Sequence, residues 1–254
     1  MINPMDLTGK HILIDGASSG LGRQTCITVS RLGAKVSLVA RNVDKMQETI
    51  SAMEGEGHKA YRFDLNCVEE IEDLITNIVK DQGKIDGYVH SAGIGTLRPV
   101  GQTTYPFMCE MMRIHLFSFV EAIRIISKKK NCGECASIVA VSSGASTNSD
   151  KGKTAYTTAK GALDSVVRPL AIELGETKKI RVNTVNPGWI KTDMYHDYVK
   201  MFGPEKMEEQ LKTHVLGAAE PEQIANVIAF LLSPASSNIT GQSIFADSGW
   251  TIHG

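Results

Sequence analysis

The sequence predicts an α/β fold, a doubly wound parallel sheet of about seven strands with helices on both faces. Three observations predict it: short apolar, β-branched stretches recur along the chain, segments of 3.6-residue periodicity separate them, and a glycine-rich turn joins the first stretch to the first helical segment. The stretches are 11–14, 36–39, 60–63, 87–89, 137–141, 181–185 and 243–245. Strands that alternate with helices point to parallel pairing, because a parallel pair needs the long crossover that a helix supplies.

The first stretch runs into Asp15-Gly16-Ala17-Ser18-Ser19-Gly20-Leu21-Gly22, which opens a helix through Thr28 and Val29. Glycines let the backbone turn sharply and approach a pyrophosphate, whose charge is favoured at the free N–H groups of a helix start. With a strand before it and a helix after it, the turn reads as the phosphate site of a single-domain Rossmann fold. At the end of the second stretch, Ala40 stands where a carboxylate would grip the ribose hydroxyls of NAD, and Arg41 follows. A guanidinium pairs bidentately with a 2′-phosphate, so this end of the site favours NADP(H) over NAD(H). Arg23 is either a second contact or an ordinary surface arginine.

The clearest helix follows Tyr156. Leu163, Val166, Val167, Leu170, Ala171 and Leu174 form one apolar stripe, and Gly175 is its expected C-terminal stop. Segment 189–216 is rich in methionine and aromatic residues and leaves from the carboxyl end of the sixth stretch, where open α/β sheets bind ligands. It is the candidate substrate lid; the competing reading is a helix pair packed on the core.

The 254 residues suit one domain, 1–254, with no repeat, low-complexity tract or linker to divide it. A net charge of −1, with Lys128–Lys130 as the densest basic run, offers no clustered surface for nucleic acid. No run approaches the roughly 18 apolar residues of a membrane span. The start, Met1-Ile2-Asn3-Pro4, lacks a basic-then-apolar targeting pattern, and a cytoplasmic enzyme is the expectation. The five cysteines are an odd, scattered set, as in a reducing compartment; Cys132 and Cys135 alone have CxxC spacing, and no second ligand pair joins them to make a metal site.

The chemistry-bearing pattern is Tyr156-Thr157-Thr158-Ala159-Lys160, with Ser143 at the end of the fifth stretch. A spacing of four puts tyrosine and lysine on one helical face. A nearby ammonium is expected to draw a phenol down from its ordinary pKa of about 10 and fit Tyr156 for general acid/base work.

Taken together, the glycine turn, the serine, the Tyr–Lys pair and Asn186-Pro187-Gly188 resemble the short-chain dehydrogenase/reductase superfamily over nearly the whole chain. The resemblance is to its short single-domain branch, which includes the 3-oxoacyl-carrier-protein reductases. The family's Thr-Gly-xxx-Gly-x-Gly turn falls on Gly16, Gly20 and Gly22, with Asp15 in place of threonine; Thr240-Gly241-Gln242 and Asp247-Ser248-Gly249 follow its closing strand. The resemblance implies cofactor contacts from Ser18, Ser19 and Leu21 in the turn, from Asp64 and Leu65 at the adenine, and from Ser91, Ala92 and Gly93. It further implies Pro187, Gly188, Ile190 and Thr192 beside the nicotinamide carboxamide, and Tyr156 and Lys160 at the nicotinamide ribose.

It implies hydride transfer between nicotinamide and a small-molecule carbonyl or secondary alcohol, a 3-oxoacyl thioester being one candidate. It also implies a homotetramer or homodimer built on helices 105–127 and 156–174.

Two positions depart from the family. Its Asn-Asn-Ala-Gly reads His90-Ser91-Ala92-Gly93, so the bonds that steady the central strands must be made differently. The asparagine that supports a proton-relay water falls at His115, which is either a substituted relay or a buried histidine satisfied by a backbone carbonyl. The polar loop 144–155 argues for a hydroxyl-rich or anionic substrate, and the apolar lid for a hydrophobic one. Two other readings stay in view. A sugar-nucleotide epimerase or dehydratase would need a different glycine spacing and a further C-terminal domain. A catalytically silent dinucleotide sensor or partner-binding protein is opposed by the complete Ser143, Tyr156 and Lys160 set and kept alive by His90 and His115.

Overall fold

Each expected strand forms, most of them a residue or two longer than the apolar run that predicts it. The computed structural model describes residues 3–252; Met1 and Ile2, read above as part of the chain's start, lie outside the described residues. In chain order the first half comprises β1 (His11–Asp15), α1 (Gly20–Arg31), β2 (Lys35–Ala40), α2 (Val43–Ser51), β3 (Lys59–Arg62), α3 (Ile71–Gln82) and β4 (Ile85–His90). The second half comprises α4 (Tyr105–Met112), α5 (Ser118–Ile126), β5 (Cys132–Val141), α6 (Thr154–Lys178), β6 (Arg181–Pro187), α7 (Asp193–Phe202), α8 (Pro204–Leu211), α9 (Pro221–Leu232) and β7 (Ser243–Ala246).

All neighbouring strands are parallel, in the order β3-β2-β1-β4-β5-β6-β7. The order reverses between β1 and β4, and such a switch point opens a crevice at the carboxyl ends of the strands. Two apolar layers fix the helices to the faces. Ile75, Ile78, Phe119, Ile123, Leu163 and Val167 pack on one side. Cys26, Val29, Met46, Ile224 and Ile228 pack on the other.

Two helical expectations are corrected. α6 passes Gly175 and closes at Lys179, which adopts the left-handed conformation at φ 57°. Ile180, 1% exposed, anchors the turn while its N–H donates to the Leu174 carbonyl at 3.2 Å, and that closure outweighs the roughly 1 kcal/mol by which glycine disfavours a helix interior. The helix expected over 105–127 is interrupted by a π segment, Arg113–Phe117, which carries His115. Single π turns of this kind are frequent at functional sites.

Candidate active site

The crevice brings one end of every central strand together. On its β1 side, the turn from Asp15 to Gly22 holds a conformation that glycine alone permits without strain. Gly16 has φ 65°, and a Cβ there would stand 2.8 Å from the Ala92 nitrogen; a Cβ on Gly22 would meet the Gly16 carbonyl oxygen at 2.3 Å. The α1 N-cap, Ser19, is extended and its side chain caps nothing, so the first N–H groups of the helix are left for an anion. Thr192 covers this start, its Cγ2 3.5 Å from the place of a Cβ on Gly20.

The adenine end is open. Ala40 ends β2, and Arg41 beside it is exposed and forms no ion pair among the described residues, while Arg31, Arg113 and Arg124 are all paired with glutamates. Asp64 lies just past β3, where one of its oxygens accepts from the Asn66 backbone and side chain, each at 3.0 Å. Leu65 is buried in the core. Ser91, Ala92 and Gly93 continue from β4 directly opposite Gly16. Pro187 ends β6, and Gly188 packs under His214, a buried residue whose Nε2 accepts from the Trp189 N–H at 3.4 Å.

Ser143, Tyr156 and Lys160 converge at the β5 end of the same crevice. The Lys160 Nζ lies 5.7 Å from the Tyr156 ring centroid and donates to the Val141 carbonyl at 2.7 Å. Burial draws the lysine down to about 8, against Asp164 and Asp15, which favour its charge. The acidification expected of Tyr156 is not what this site shows. Burial pushes the phenol above its ordinary value, and hydrogen bonding with Ser143 offsets only part of that, because the ammonium is turned toward a carbonyl and is itself desolvated.

His115 is 1% exposed and stands edge-on to Tyr156, with ring centroids 5.7 Å apart. Its Nε2 lies 3.0 Å from the Ile94 carbonyl oxygen, the contact of a buried, backbone-satisfied histidine. Its Nδ1 has no partner, the one such buried side-chain atom among the described residues. Burial, then the Lys160 charge, push the imidazole well below its ordinary pKa, and the Ile94 N–H also faces Nε2, at 3.3 Å.

Several contributors escape a linear reading. Asp164, one turn beyond Lys160, accepts from Thr184 at 2.9 Å and from the Asn186 amide at 2.7 Å, and that amide also reaches the Ser143 carbonyl at 3.3 Å. The i+4 offset from Lys160 is the signal that could have found it. Trp250 lies against Gly144, where a Cβ would come within 2.8 Å of the indole, and stacks on His214 at 5.3 Å. Its position past the last strand offered no pattern to read.

The polar loop bonds largely to its surroundings: Ser149 pairs with Thr157 of α6 at 2.6 Å, Ser146 accepts from the Asn186 amide at 3.1 Å, and Lys153 pairs with Asp150 at 2.8 Å while lying over the rings of Trp189 and Trp250. Segment 189–216 is a helix pair, α7 and α8, in which Met207 is the one buried residue. Met194 reaches across the crevice mouth, its sulfur 2.9 Å from the place of a Cβ on Gly95.

The chain is similar to known proteins over nearly its whole length. The family model described as "Enoyl-(Acyl carrier protein) reductase" matches residues 16–251. The 7alpha-hydroxysteroid dehydrogenase of Escherichia coli (strain K12) is 30% identical over 245 residues, covering 96% of this chain and 94% of that protein. The L-xylulose reductase of Mus musculus is 32% identical over 248 residues, covering 97% and 98%. A 7 alpha-hydroxysteroid dehydrogenase solved with NADH and 7-oxo glycochenodeoxycholic acid superposes with a TM-score of 0.89 at 30% identity, covering 98% of each chain.

Proposed function

The chain belongs to the short-chain dehydrogenase/reductase superfamily, and on that premise we propose that it is an NADP(H)-dependent oxidoreductase acting on a carbonyl or secondary alcohol through Tyr156, Lys160 and Ser143. Oxidoreduction at an alcohol or carbonyl carbon is the shared chemistry of its relatives. The finer reading rests on the convergence of those three side chains beside a glycine turn that leaves no room for a Cβ at Gly16 or Gly22.

The nicotinamide supplies the hydride in reduction and receives it in oxidation. Tyr156 donates its phenolic proton to the carbonyl oxygen during reduction, and the Ser143 hydroxyl hydrogen-bonds that oxygen as charge develops. Lys160, eased toward neutrality by burial, exchanges the Val141 carbonyl for the cofactor ribose. His115 holds the Ile94 backbone through Nε2 and offers Nδ1 to a water on the path from Lys160 to solvent. Arg41, exposed and unpaired at the end of β2, carries the preference for the 2′-phosphate, although the hydroxysteroid dehydrogenase relative was solved with NADH.

For the substrate, Ser146, Ser149 and Lys153 of the polar loop already have protein partners, while Met194 and Trp250 stand over Gly95 and Gly144, which favours an apolar or ring-shaped carbonyl compound over an anionic one. A 3-oxoacyl thioester remains within that class. Exposed Tyr105, Phe117, Val120 and Ile172 support a dimer or tetramer through α4 to α6, and light scattering reports it directly.

The test is a spectrophotometric screen of NADPH and NADH oxidation against cyclic ketones, 3-oxoacyl thioesters and keto-sugars. The reading requires turnover of at least one apolar carbonyl with kcat/KM higher for NADPH. A higher value with NADH overturns the cofactor assignment, and tight nucleotide binding without any turnover leaves the sensor reading in its place.

A further inference from the structure

The two departures at Asp15 and His90, which lie 75 positions apart in the sequence, meet in the core as one unit. Asp15 is 2% exposed and His90 fully buried. The carboxylate accepts four hydrogen bonds: Oδ2 from the Tyr88 hydroxyl and from His90 Nδ1, each at 2.7 Å, and Oδ1 from the backbone N–H groups of Ser91 at 2.8 Å and Ala92 at 2.7 Å. Four donors and no acceptor facing it make Asp15 an ionised carboxylate. Burial opposes that charge, and the His90 charge with the hydrogen bonds from His90, Tyr88 and Ala92 overcomes it. On the other side of the ring, His90 Nε2 faces the His115 carbonyl oxygen at 3.2 Å. Both ring nitrogens therefore face acceptors, and satisfying both takes an N–H on each, the cationic ring. Phe119 closes over the ring at 5.4 Å, which keeps water from the pair.

We propose that Asp15 and His90 form a buried imidazolium–carboxylate pair that is the positioning element of the active site. It sets the Ser91–Gly93 backbone against the glycine turn for the nicotinamide half of the cofactor and ties that backbone to the π segment that carries His115. The inference rests on the dinucleotide reading above. Tyr88, Lys160 and His115 are the other titratable groups around it, and Asp15 is one of the two carboxylates that favour the Lys160 charge. A family-type threonine and asparagine would span the same gap with neutral groups. Here both positions carry the members of a charge pair, and one buried charge without the other is strongly destabilising while replacing both can be neutral.

The experiment is a double-variant cycle, D15T, H90N and D15T/H90N, read by cofactor Kd from NADPH fluorescence and by thermal melts. The pair predicts that each single variant raises the Kd of its folded fraction at least 10-fold and that the double variant returns to within about threefold of the parent. A merely structural pair would lower the melting temperature of the single variants while their folded fractions bind NADPH with the parent Kd, and that result overturns the proposal. If either single variant does not fold, hydrogen exchange in the parent protein decides. The amides of Ser91 and Ala92 should exchange as slowly as those of β1 and β4, and exchange as fast as the 94–99 loop contradicts the pair. Failure of the parent itself to bind NADPH or NADH is a different outcome, one that removes the dinucleotide reading.

Discussion

Around Asp15 the polar atoms are sealed from water and matched to partners within 2.7–2.8 Å, whereas no residue of α7 is buried and Met194, Met201 and Phe202 are exposed. The cradle at the strand ends is thus held by the protein's own groups, its cost in desolvated charge offset by hydrogen bonds. The helices above it keep apolar surface exposed at Met194, Met201 and Phe202. On the function proposed above, the difference assigns chemistry to the cradle and choice of substrate to the helices. Changes in the cradle should strike turnover or cofactor use, while changes in the helices should strike KM.

After Tyr156 itself, the largest expected break lies in the cradle. Ser143→Ala removes one hydrogen bond to the developing oxyanion and should lower kcat roughly 10²- to 10³-fold with little change in NADPH affinity; steady-state kinetics beside a binding titration check it. Next comes Arg41→Asp, which replaces a 2′-phosphate partner by a repelling carboxylate and should move the NADPH-to-NADH ratio of kcat/KM by roughly 30-fold toward NADH. An unchanged ratio would detach Arg41 from the site. In the helices, Met194→Ala should raise substrate KM by a few-fold and leave kcat and melting temperature nearly unchanged. A loss of kcat instead would place α7 in the chemistry and blur the division.

The smallest effect concerns stability and pH. Burial and the Lys160 charge keep the folded-state pKa of His115 well below its ordinary value. Below pH 6.5 the unfolded chain therefore binds a proton at this position that the folded chain does not, so the stability present above that pH is lost as the pH falls. Relative to His115→Asn, the parent should lose about 1.4 kcal/mol per pH unit below 6.5. Urea unfolding at pH 7.5 and 5.5 measures it, and equal losses in both proteins would mean that the ring is not held neutral.

Much of the framework was legible because it depends on local pattern. Short apolar, β-branched runs found the seven strands, and the glycine turn was readable because Gly16 and Gly22 answer to their immediate neighbours and to one facing strand. The helical stop at Gly175 was misplaced because a distant core takes up Ile180 and draws the helix on. The Asp15–His90 pair was invisible for a related reason: its members belong to strands made adjacent by topology, and only the sheet order brings β1 beside β4. The direction of the Tyr156 shift was misread because the spacing to Lys160 reports proximity and says nothing of burial, which dominates here.

Tyr156→Phe is the most direct test of the proton-handling site. It removes one oxygen from a half-buried ring and keeps the ring's packing against His115. NADPH should bind within a few-fold of the parent affinity while carbonyl reduction falls below about a thousandth of the parent rate. A variant that binds NADPH and still reduces the carbonyl at a comparable rate would show that the proton comes from elsewhere.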